Sequence, residues 1–482
     1  MHSSQLPSRV VNIESVWLGR PLSRTILTAA ATAVLTDPGE SESSEPDGAT
    51  EKAISMPASV PGALPTPTFD RLLPSNHRIG ADTTDIRWFR GKESNGGGEQ
   101  LPENQMTAGV RRCHRDVMEI RALNVFDDTE LERFYELTER AQAFERPHHT
   151  GWSLEEAKLE FRRQEPTERS EAWAAYVEGT MVGGMSLWFP LLDNLTKCWG
   201  EVAVDPDHQR GGIGSALVAQ IASRLEQEGR SIFVTESAYP FDRRADHPHR
   251  RFAEANGFTV AIDEIRRILP LPVDAALLDT LACEAAPHHA AYRIESFQDD
   301  LPTELLASYC EVSNRLGVEA PTGDLDFEPE SMTPELCLDR LDNEKAMGRT
   351  RLTTVAIDRS GGADNVVAYT DLILPPPPNP DVWQWGTLVH ADHRGHRLGM
   401  ALKVSNLQTL AAFDPSRLRV LTCNAETNHS MVDINVRLGF EAIEVCPMME
   451  LGIENAVHRA AGRTIAEPEP TEQRAQVSAA RT

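Results

Sequence analysis

The sequence predicts an α+β protein made of two similar halves, and three observations support this prediction. Strand-like alternation and helical stripes of apolar residues follow one another in the same order twice. The segment VDPDHQRGGIG at 204–214 aligns without gaps with VHADHRGHRLG at 389–399. A Gly-Phe pair then follows a helical segment in each half, at 257–258 and at 439–440. We therefore expect a duplicated unit, each copy a central mixed, mostly antiparallel sheet flanked by helices.

The chain has 482 residues, which is long for one ordinary domain. Its first part is polar or rich in proline and glycine without a period, which is typical of disorder. We predict a disordered extension at 1–115, a first unit at 118–270, a linker at 271–290, a second unit at 291–452 and a disordered tail at 453–482.

The first unit opens with a strand at 118–123. A helix follows at 128–142, where Leu131, Phe134 and Leu137 form an apolar stripe. Alternation around a Glu-Gly turn predicts a hairpin at 172–189. The remaining predicted elements are a strand at 198–204, a helix at 211–227, a strand at 231–235, a helix at 249–256 and closing strands at 258–262 and 265–269.

The second unit repeats this order, since the same kinds of pattern recur from residue 292 onward. A proline run at 375–378 is a stiff spacer inside this unit and not a boundary. The predicted elements are a strand at 292–297, a helix at 304–316, strands at 352–358, 366–374 and 383–389, a helix at 399–413, a strand at 419–423, a helix at 430–438 and a strand at 440–449.

Charge and cysteine content exclude several classes of protein. The formal net charge is −26, which argues against general binding to nucleic acid or to an anionic membrane surface. No apolar run approaches the roughly 18 residues of a membrane span. The seven cysteines are scattered without a CxxC pair, so we expect reduced thiols in a cytoplasmic protein. No secretory signal is recognisable at the start of the chain.

The glycine-rich loop after the strand at 198–204 is the segment with the clearest chemical meaning. Gly211, Gly212 and Gly214 leave backbone N–H groups unshielded at the start of a helix, a geometry that binds pyrophosphate. The loop is not a dinucleotide-binding G-x-G-x-x-G motif, because position 217 is Leu, and it is not a G-x-x-x-x-G-K-[ST] loop.

The segment Gln209-Arg210-Gly211-Gly212-Ile213-Gly214 resembles the Q/R-x-x-G-x-G/A loop of the GNAT acetyltransferases. The resemblance covers about two-thirds of the chain, and the layout is similar to the tandem GNAT proteins of actinobacteria, among them mycothiol synthase. It implies that acetyl-CoA is the co-substrate and that an amine accepts the acetyl group. It further implies contacts to the pantetheine arm from Val202 and Val204, and to the pyrophosphate from the residues between Gln209 and Ser215, namely Gln209, Arg210, Gly211, Gly212, Ile213, Gly214 and Ser215.

The same resemblance suggests two catalytic residues in the first unit. Glu201 matches the carboxylate that deprotonates the amine in some family members, and its alternative role is that of a solvated strand carboxylate. The family often has a Tyr in the last helix that protonates the leaving thiolate, but Ala253 and Asn435 occupy that position here. Tyr239 is a possible substitute, and the alternative is a loop aromatic that only packs.

The second unit departs further from the family pattern. Arg397 stands where Gly212 stands in the first unit, so it would either crowd the phosphates or donate hydrogen bonds to them, and Gly386 replaces Glu201. Asn428 either contacts the co-substrate or caps a helix. The residues that the resemblance assigns to co-substrate binding in this unit are Val389, Arg394, Gly395, His396, Arg397, Gly399, Asn428 and Asn435.

We predict an N-acetyltransferase that moves the acetyl group directly from acetyl-CoA to a primary amine of a small molecule or peptide, with the first unit as the better-equipped site. The acidic chain favours a cationic amine. The alternatives are a non-catalytic acyl-CoA-binding sensor or scaffold, and a second unit that only completes the acceptor pocket of the first. His390, His393 and His396 match no zinc pattern, so we expect no metal.

Overall fold

The computed structural model describes residues 13–14, 118–163, 165, 167–245 and 247–455, and of residues 13–14 it describes the backbone only. All of these residues belong to one compact unit. The extension expected at 1–115 and the tail expected at 453–482 lie outside the described residues, except for 13–14 and for the helical residues 453–455. Within this described part of the chain, no helix is both long enough and apolar enough to cross a membrane.

The first half begins as the sequence predicts. The Asp127 side chain caps the first helix by accepting hydrogen bonds from the backbone N–H groups of Thr129 and Glu130. The helix buries the apolar stripe expected from its period. Preceded by β1 (Ile13–Glu14), the elements of this half are β2 (Met118–Ala122), α1 (Asp128–Ala143), α2 (Leu154–Arg162), β3 (Glu168–Val177), β4 (Thr180–Pro190), β5 (Lys197–Val204), α3 (Ile213–Gln227), β6 (Ile232–Glu236), β7 (Tyr239–Pro240), α4 (Pro248–Ala255) and β8 (Thr259–Pro270).

The second half repeats this order, with two further α-helices among the residues that the structure describes. The sequence did not predict α2 in the first half, nor α5, α7 and α8 here, and the two closing strands expected at 258–269 form the single strand β8. The elements are α5 (Ala275–Ala285), β9 (Tyr292–Gln298), α6 (Thr303–Ser313), α7 (Leu316–Glu319), α8 (Pro334–Ala346), β10 (Thr350–Asp358), β11 (Asn365–Leu374), β12 (Asp381–Val389), α9 (Leu398–Phe413), β13 (Arg419–Ala425), α10 (His429–Leu438) and β14 (Glu441–Gly452).

The strands form one continuous mixed sheet. Its order is β2-β3-β4-β5-β6-β14-β8-β13-β12-β11-β10-β9, while β1 pairs with β12 and β7 pairs with β14. The pairs β5–β6 and β12–β13 are parallel and the others are antiparallel. The fold class expected from the sequence, two α+β units with mostly antiparallel sheets, is confirmed.

The last strand of each half lies in the sheet of the other half. β14 pairs with β6 of the first half, and β8 pairs with β13 of the second half. The two exchanged strands also pair with each other from Glu441–Ile268 to Glu450–Thr259. Residues 271–290, expected to be a linker, hold α5, which packs against α9 in the second core. The exchange of β14 brings side chains of the second half into the first half.

Helices cover both faces of the first-half sheet. α3 packs on the face that carries Met185 and Leu187. α1 packs on the opposite face, where Leu137 contacts Ala203. Because side chains alternate along a strand, Glu201 shares the α1 face with Ala203. This placement determines which helix borders the candidate site.

Candidate active site

Strands β5 and β6 separate at the centre of the first half. Their parallel pairing runs only from Lys197–Ile232 to Trp199–Val234. Beyond Trp199, β5 stays paired with β4 as far as Val204, so its other backbone edge no longer bonds to β6. The resulting gap opens between two strands whose backbone edges can pair with an extended ligand.

The glycine-rich loop lies where β5 ends and α3 begins. Gly212 precedes α3 with φ of 89°, a left-handed conformation that glycine adopts without strain. No side chain caps this helix end, so the backbone N–H groups of its first turn remain available to an anion. Arg210 has a φ of 64° and also lines the adjoining cavity. The loop therefore has the geometry expected of a pyrophosphate site.

A cavity of about 810 Å³ connects this loop to the gap between β5 and β6. Most of the co-substrate residues expected in the first half line it: Val202, Val204, Gln209, Arg210, Gly212, Gly214 and Ser215. Gly211 is not among the lining residues, and the side chain of Ile213 packs in the core. The volume lies within the roughly 300–1,000 Å³ usual for ligand pockets.

Glu201 lies on the cavity wall. Its carboxylate accepts a hydrogen bond of 2.7 Å from the Nε2 atom of Gln142 on α1. Glu201 also lies close enough to Glu236, at the end of β6, for its charge to raise the pKa of that residue. Two carboxylates therefore face the gap from its two sides.

Glu236 belongs to a charged group that sequence reasoning missed. Its Oε1 atom accepts a 3.1 Å hydrogen bond from Arg266 on β8. Arg266 also donates to Glu444 on β14, at 3.0 Å, and Arg146 binds both carboxylate oxygens of Glu444 at 2.8 Å. Burial raises the pKa of Glu236 to about 7, although the charges of Arg266 and Arg146 oppose the shift. A carboxyl group with this pKa exchanges protons near neutral pH.

Tyr239 does not reach the cavity. Its side chain is fully buried and its ring stacks on His247, with 4.7 Å between ring centroids and 6° between ring planes. It packs with Ile265 and Val445 and is not among the lining residues of the cavity. In the structure Tyr239 is therefore an aromatic side chain that packs, which is the alternative role given for it in the sequence analysis.

The second half supplies part of the cavity wall. Trp383 on β12 stacks on Trp152, with 5.6 Å between ring centroids, and Met448 and Met449 on β14 complete this side. Trp383 is buried in a hydrophobic cluster, and part of its surface also lines the cavity. The wall on this side of the cavity is thus built by both halves.

In the second half, side chains occupy the corresponding region. A Cβ atom placed on Gly386, which aligns with Glu201, would lie 2.5 Å from the Tyr369 hydroxyl group. Arg397 donates to the carbonyl group of Glu284 at 3.1 Å, and His396 lies 3.1 Å from the carbonyl oxygen of His288. Arg394 forms an ion pair with Glu319. The cationic side chains of this loop therefore have protein partners.

Most other co-substrate residues expected in the second half are also engaged within the protein. Val389 and Gly399 are buried, Val389 in a hydrophobic cluster. The Asn428 side chain caps α10 by accepting a hydrogen bond from the backbone N–H group of Met431. Helix capping is the alternative role that the sequence predicts for Asn428. Buried Asn435 accepts a 2.8 Å hydrogen bond from Lys403 and donates one of 2.7 Å to Asn424. Gly395 lies in an exposed turn, with a φ of 87°.

The three loop histidines pack with one another and with Tyr292. His393 lies 3.0 Å from the Tyr292 hydroxyl group, and its ring centroid is 5.9 Å from that of His390. Among the residues that the structure describes, no three His, Cys, Asp or Glu side chains are grouped so that they could hold a metal ion.

Comparison with known proteins shows what this part of the chain is similar to. The sequence profile described as "Acetyltransferase (GNAT) domain" matches residues 168–260. A tandem GNAT protein from the clavulanic acid biosynthesis pathway has a similar structure, with a TM-score of 0.56 and 22% identity over 70% of this chain and 98% of that chain. A GCN5-related N-acetyltransferase from Sphaerobacter thermophilus gives a TM-score of 0.48 and 14% identity over 70% and 96% of the two chains. No curated protein matches the chain in sequence.

The matched segment contains the features on which the candidate site depends. It spans β3 to the start of β8, with the gap beside β5, the glycine-rich loop and Glu236. The overall fold similarity extends over both halves. Residues 168–260 thus match the profile of a GNAT acetyltransferase domain, and the described part of the chain has the fold of a tandem GNAT protein.

Proposed function

We propose that the protein is an acyl-CoA-dependent N-acetyltransferase whose active site is the first-half cavity. One observation supports this most strongly. A single cavity joins an uncapped glycine-rich helix start at one end to two carboxylates, Glu201 and Glu236, at the other. An anionic co-substrate and an amine would therefore meet in the gap between β5 and β6.

The residues of the first half would divide the binding of acetyl-CoA among them. The N–H groups of the loop before α3 hold the pyrophosphate, and the free edge of β5 pairs with the pantetheine arm. A backbone N–H group near Ala203 or Val204 polarises the thioester carbonyl group. These contacts fix the reacting groups next to each other, and such positioning contributes about 7–11 kcal/mol to catalysis at best.

Glu236 would accept the proton of the attacking amine. Its pKa of about 7 matches a general base that works near neutral pH, while Glu201, fixed by Gln142, would bind the protonated amine and orient it. The acceptor would be a cationic primary amine, since Glu201 and Glu236 face the gap, whereas Arg146 and Arg266, which also line the cavity, are paired with Glu444. The amine nitrogen attacks the thioester carbon, the C–S bond breaks, and the thiolate leaves.

Turnover tests this assignment directly. With acetyl-CoA and a panel of primary amines, we expect release of free thiol from the wild-type chain. Glu236→Gln should lower kcat by about 10²–10⁴-fold, the usual contribution of a general base. Glu201→Gln should chiefly raise KM for the amine. Full activity of Glu236→Gln would refute its role as the base.

The second candidate function is a non-catalytic acyl-CoA-binding sensor or scaffold. It is favoured by the position of Tyr239, which cannot protonate a thiolate in the cavity because it is fully buried away from it. Calorimetric binding of acetyl-CoA together with no thiol release for any amine of the panel would support this function over catalysis.

A further inference from the structure

Glu444 is an acidic residue that binds two guanidinium groups near Glu236, those of Arg146 and Arg266. It comes from β14, the second-half strand that lies in the first-half sheet, and its side chain is only 1% exposed. Arg146 binds it through Nε and Nη2 at 2.8 Å, and Arg266 binds it through Nη1 at 3.0 Å. Such charge-assisted, two-pronged pairs have a well-defined geometry.

Arg266 divides its hydrogen bonds between two carboxylates. Nη1 reaches Glu444, and Nη2 reaches Oε1 of Glu236 at 3.1 Å. Glu444 and Arg266 also face each other in the register of β14 and β8. The result is a row of alternating charge, Glu236–Arg266–Glu444–Arg146, in which Glu236, Arg266 and Arg146 line the cavity.

We propose that Glu444 is a positioning residue through which the second half keeps Glu236 able to accept a proton near neutral pH. It does so by engaging Arg266 and Arg146, whose positive charges would otherwise act on Glu236 without compensation. This proposal rests on the proposed function, in which Glu236 is the base.

The direction of the effect follows from the charges that face Glu236. Arg266 on β8 and Arg146 beyond α1 favour its ionised form, while Glu201 on β5 and Glu444 on β14 disfavour it. His249 on α4 also lines the cavity, and burial lowers its pKa, so it is neutral near pH 7. Removing the negative charge of Glu444 therefore lowers the pKa of Glu236.

Glu444 itself keeps its charge over the whole working range. Burial alone would raise its pKa, but the hydrogen bonds and charges of Arg146 and Arg266 outweigh burial and hold the pKa at about 2. Glu444 thus acts as a constant negative charge, whereas Glu236 is the group that changes protonation near pH 7.

The pH profile of kcat/KM for the amine separates this role from a purely structural one. The acid limb of the wild-type profile should fall near pH 7, the pKa of Glu236. Glu444→Gln keeps the size of the side chain, and we expect the limb to move toward acid by about one pH unit, with a lower plateau. A lower plateau with an unmoved limb would overturn the proposal.

Two further variants distinguish an effect of charge from a loss of folding. Arg146→Met removes a positive charge that lowers the pKa of Glu236 and leaves Glu444 paired with Arg266 alone. The pKa of Glu236 should therefore rise, and the acid limb should move toward alkaline pH, opposite to its shift in Glu444→Gln. Glu441→Gln removes an exposed carboxylate from the same strand and should leave the limb in place. Shifts of the same sign for Glu444→Gln and Arg146→Met would contradict the proposal.

A measurement without turnover distinguishes failure of this proposal from failure of the proposed function. In the full chain labelled with ¹³C at the glutamate carboxyl groups, the Glu236 signal is assigned from its loss in Glu236→Gln. We expect its titration midpoint to fall in Glu444→Gln and to rise in Arg146→Met. Normal shifts without any turnover would refute only the acetyltransferase, and turnover without shifts would refute only the role of Glu444.

Discussion

The two halves of the chain share one fold but differ in what fills the gap beside the central strand. In the first half, β5 leaves β6 after Trp199 and a cavity lies in the gap. In the second half, β12 leaves β13 after Trp383, yet Tyr369 occupies the place beside Gly386 and the loop cations bind protein groups. The difference shows that a strand–loop–helix motif does not by itself produce a cavity, because the neighbouring side chains decide whether the gap is open.

The largest effect is expected when Gly212 in the loop before α3 is replaced by Arg, the residue at the corresponding position of the loop before α9. Gly212→Arg copies Arg397, which itself adopts a positive φ of 52°. A Cβ atom at 212 meets no neighbour within 4 Å, so the chain should fold, but the side chain would cover the N–H groups at the start of α3. We expect the affinity for acetyl-CoA, measured by calorimetry, to fall by at least about 100-fold, or roughly 2.7 kcal/mol.

The reverse exchange is the matched control. Arg397→Gly should leave the stoichiometry at one acetyl-CoA per chain, because Tyr369 and the other side chains of the second half remain in place. Unchanged or tighter binding by Gly212→Arg, or a second site in Arg397→Gly, would break the comparison between the halves.

A smaller effect on stability should follow from changing Gly386, the counterpart of Glu201. A Cβ atom there would lie 2.5 Å from the Tyr369 hydroxyl group and 3.1 Å from a Leu316 methyl group, and Tyr369 is itself packed against Tyr309. Gly386→Ala should therefore lower the free energy of unfolding by about 1–3 kcal/mol, as measured by urea denaturation. Gly361→Ala, where the nearest atom is 4.0 Å away, is the control and should change it little.

The smallest effect is expected at Tyr239. Because its ring is buried against His247 and does not line the cavity, Tyr239→Phe should change kcat by less than about threefold, against roughly 10²–10⁴-fold for a general acid. Steady-state thiol release measures it. A hundredfold loss would mean that Tyr239 enters the reaction after all and that the cavity opens further during turnover.

The sequence predicted secondary-structure elements best where the relevant contacts are local. The stripe Leu131, Phe134 and Leu137 predicted α1, and the glycines at 211–214 predicted the loop before α3, because both depend on neighbours within one or two turns. α2 and α8 were missed. α8 follows an irregular stretch and its buried positions include the polar Asn343 and Glu344, so its apolar period is weak.

The charged group of the site was missed for a different reason. Arg146, Glu236, Arg266 and Glu444 lie as much as 298 residues apart in the chain. None belongs to a local motif, and Glu444 reaches the first half only because β14 is exchanged into that sheet. The residues of β14 by themselves give no indication of which sheet the strand will join.

The sequence by itself determined the duplicated order of strands and helices and the two glycine-rich loops, since these follow from side-chain periodicity and from the backbone freedom of glycine. Only the tertiary structure decided that the first gap is a cavity and the second is filled, and that Glu236 has a pKa of about 7. Cavity shape and the protonation of a buried carboxylate depend on every side chain that surrounds them, and strand exchange draws those side chains from both ends of the described chain.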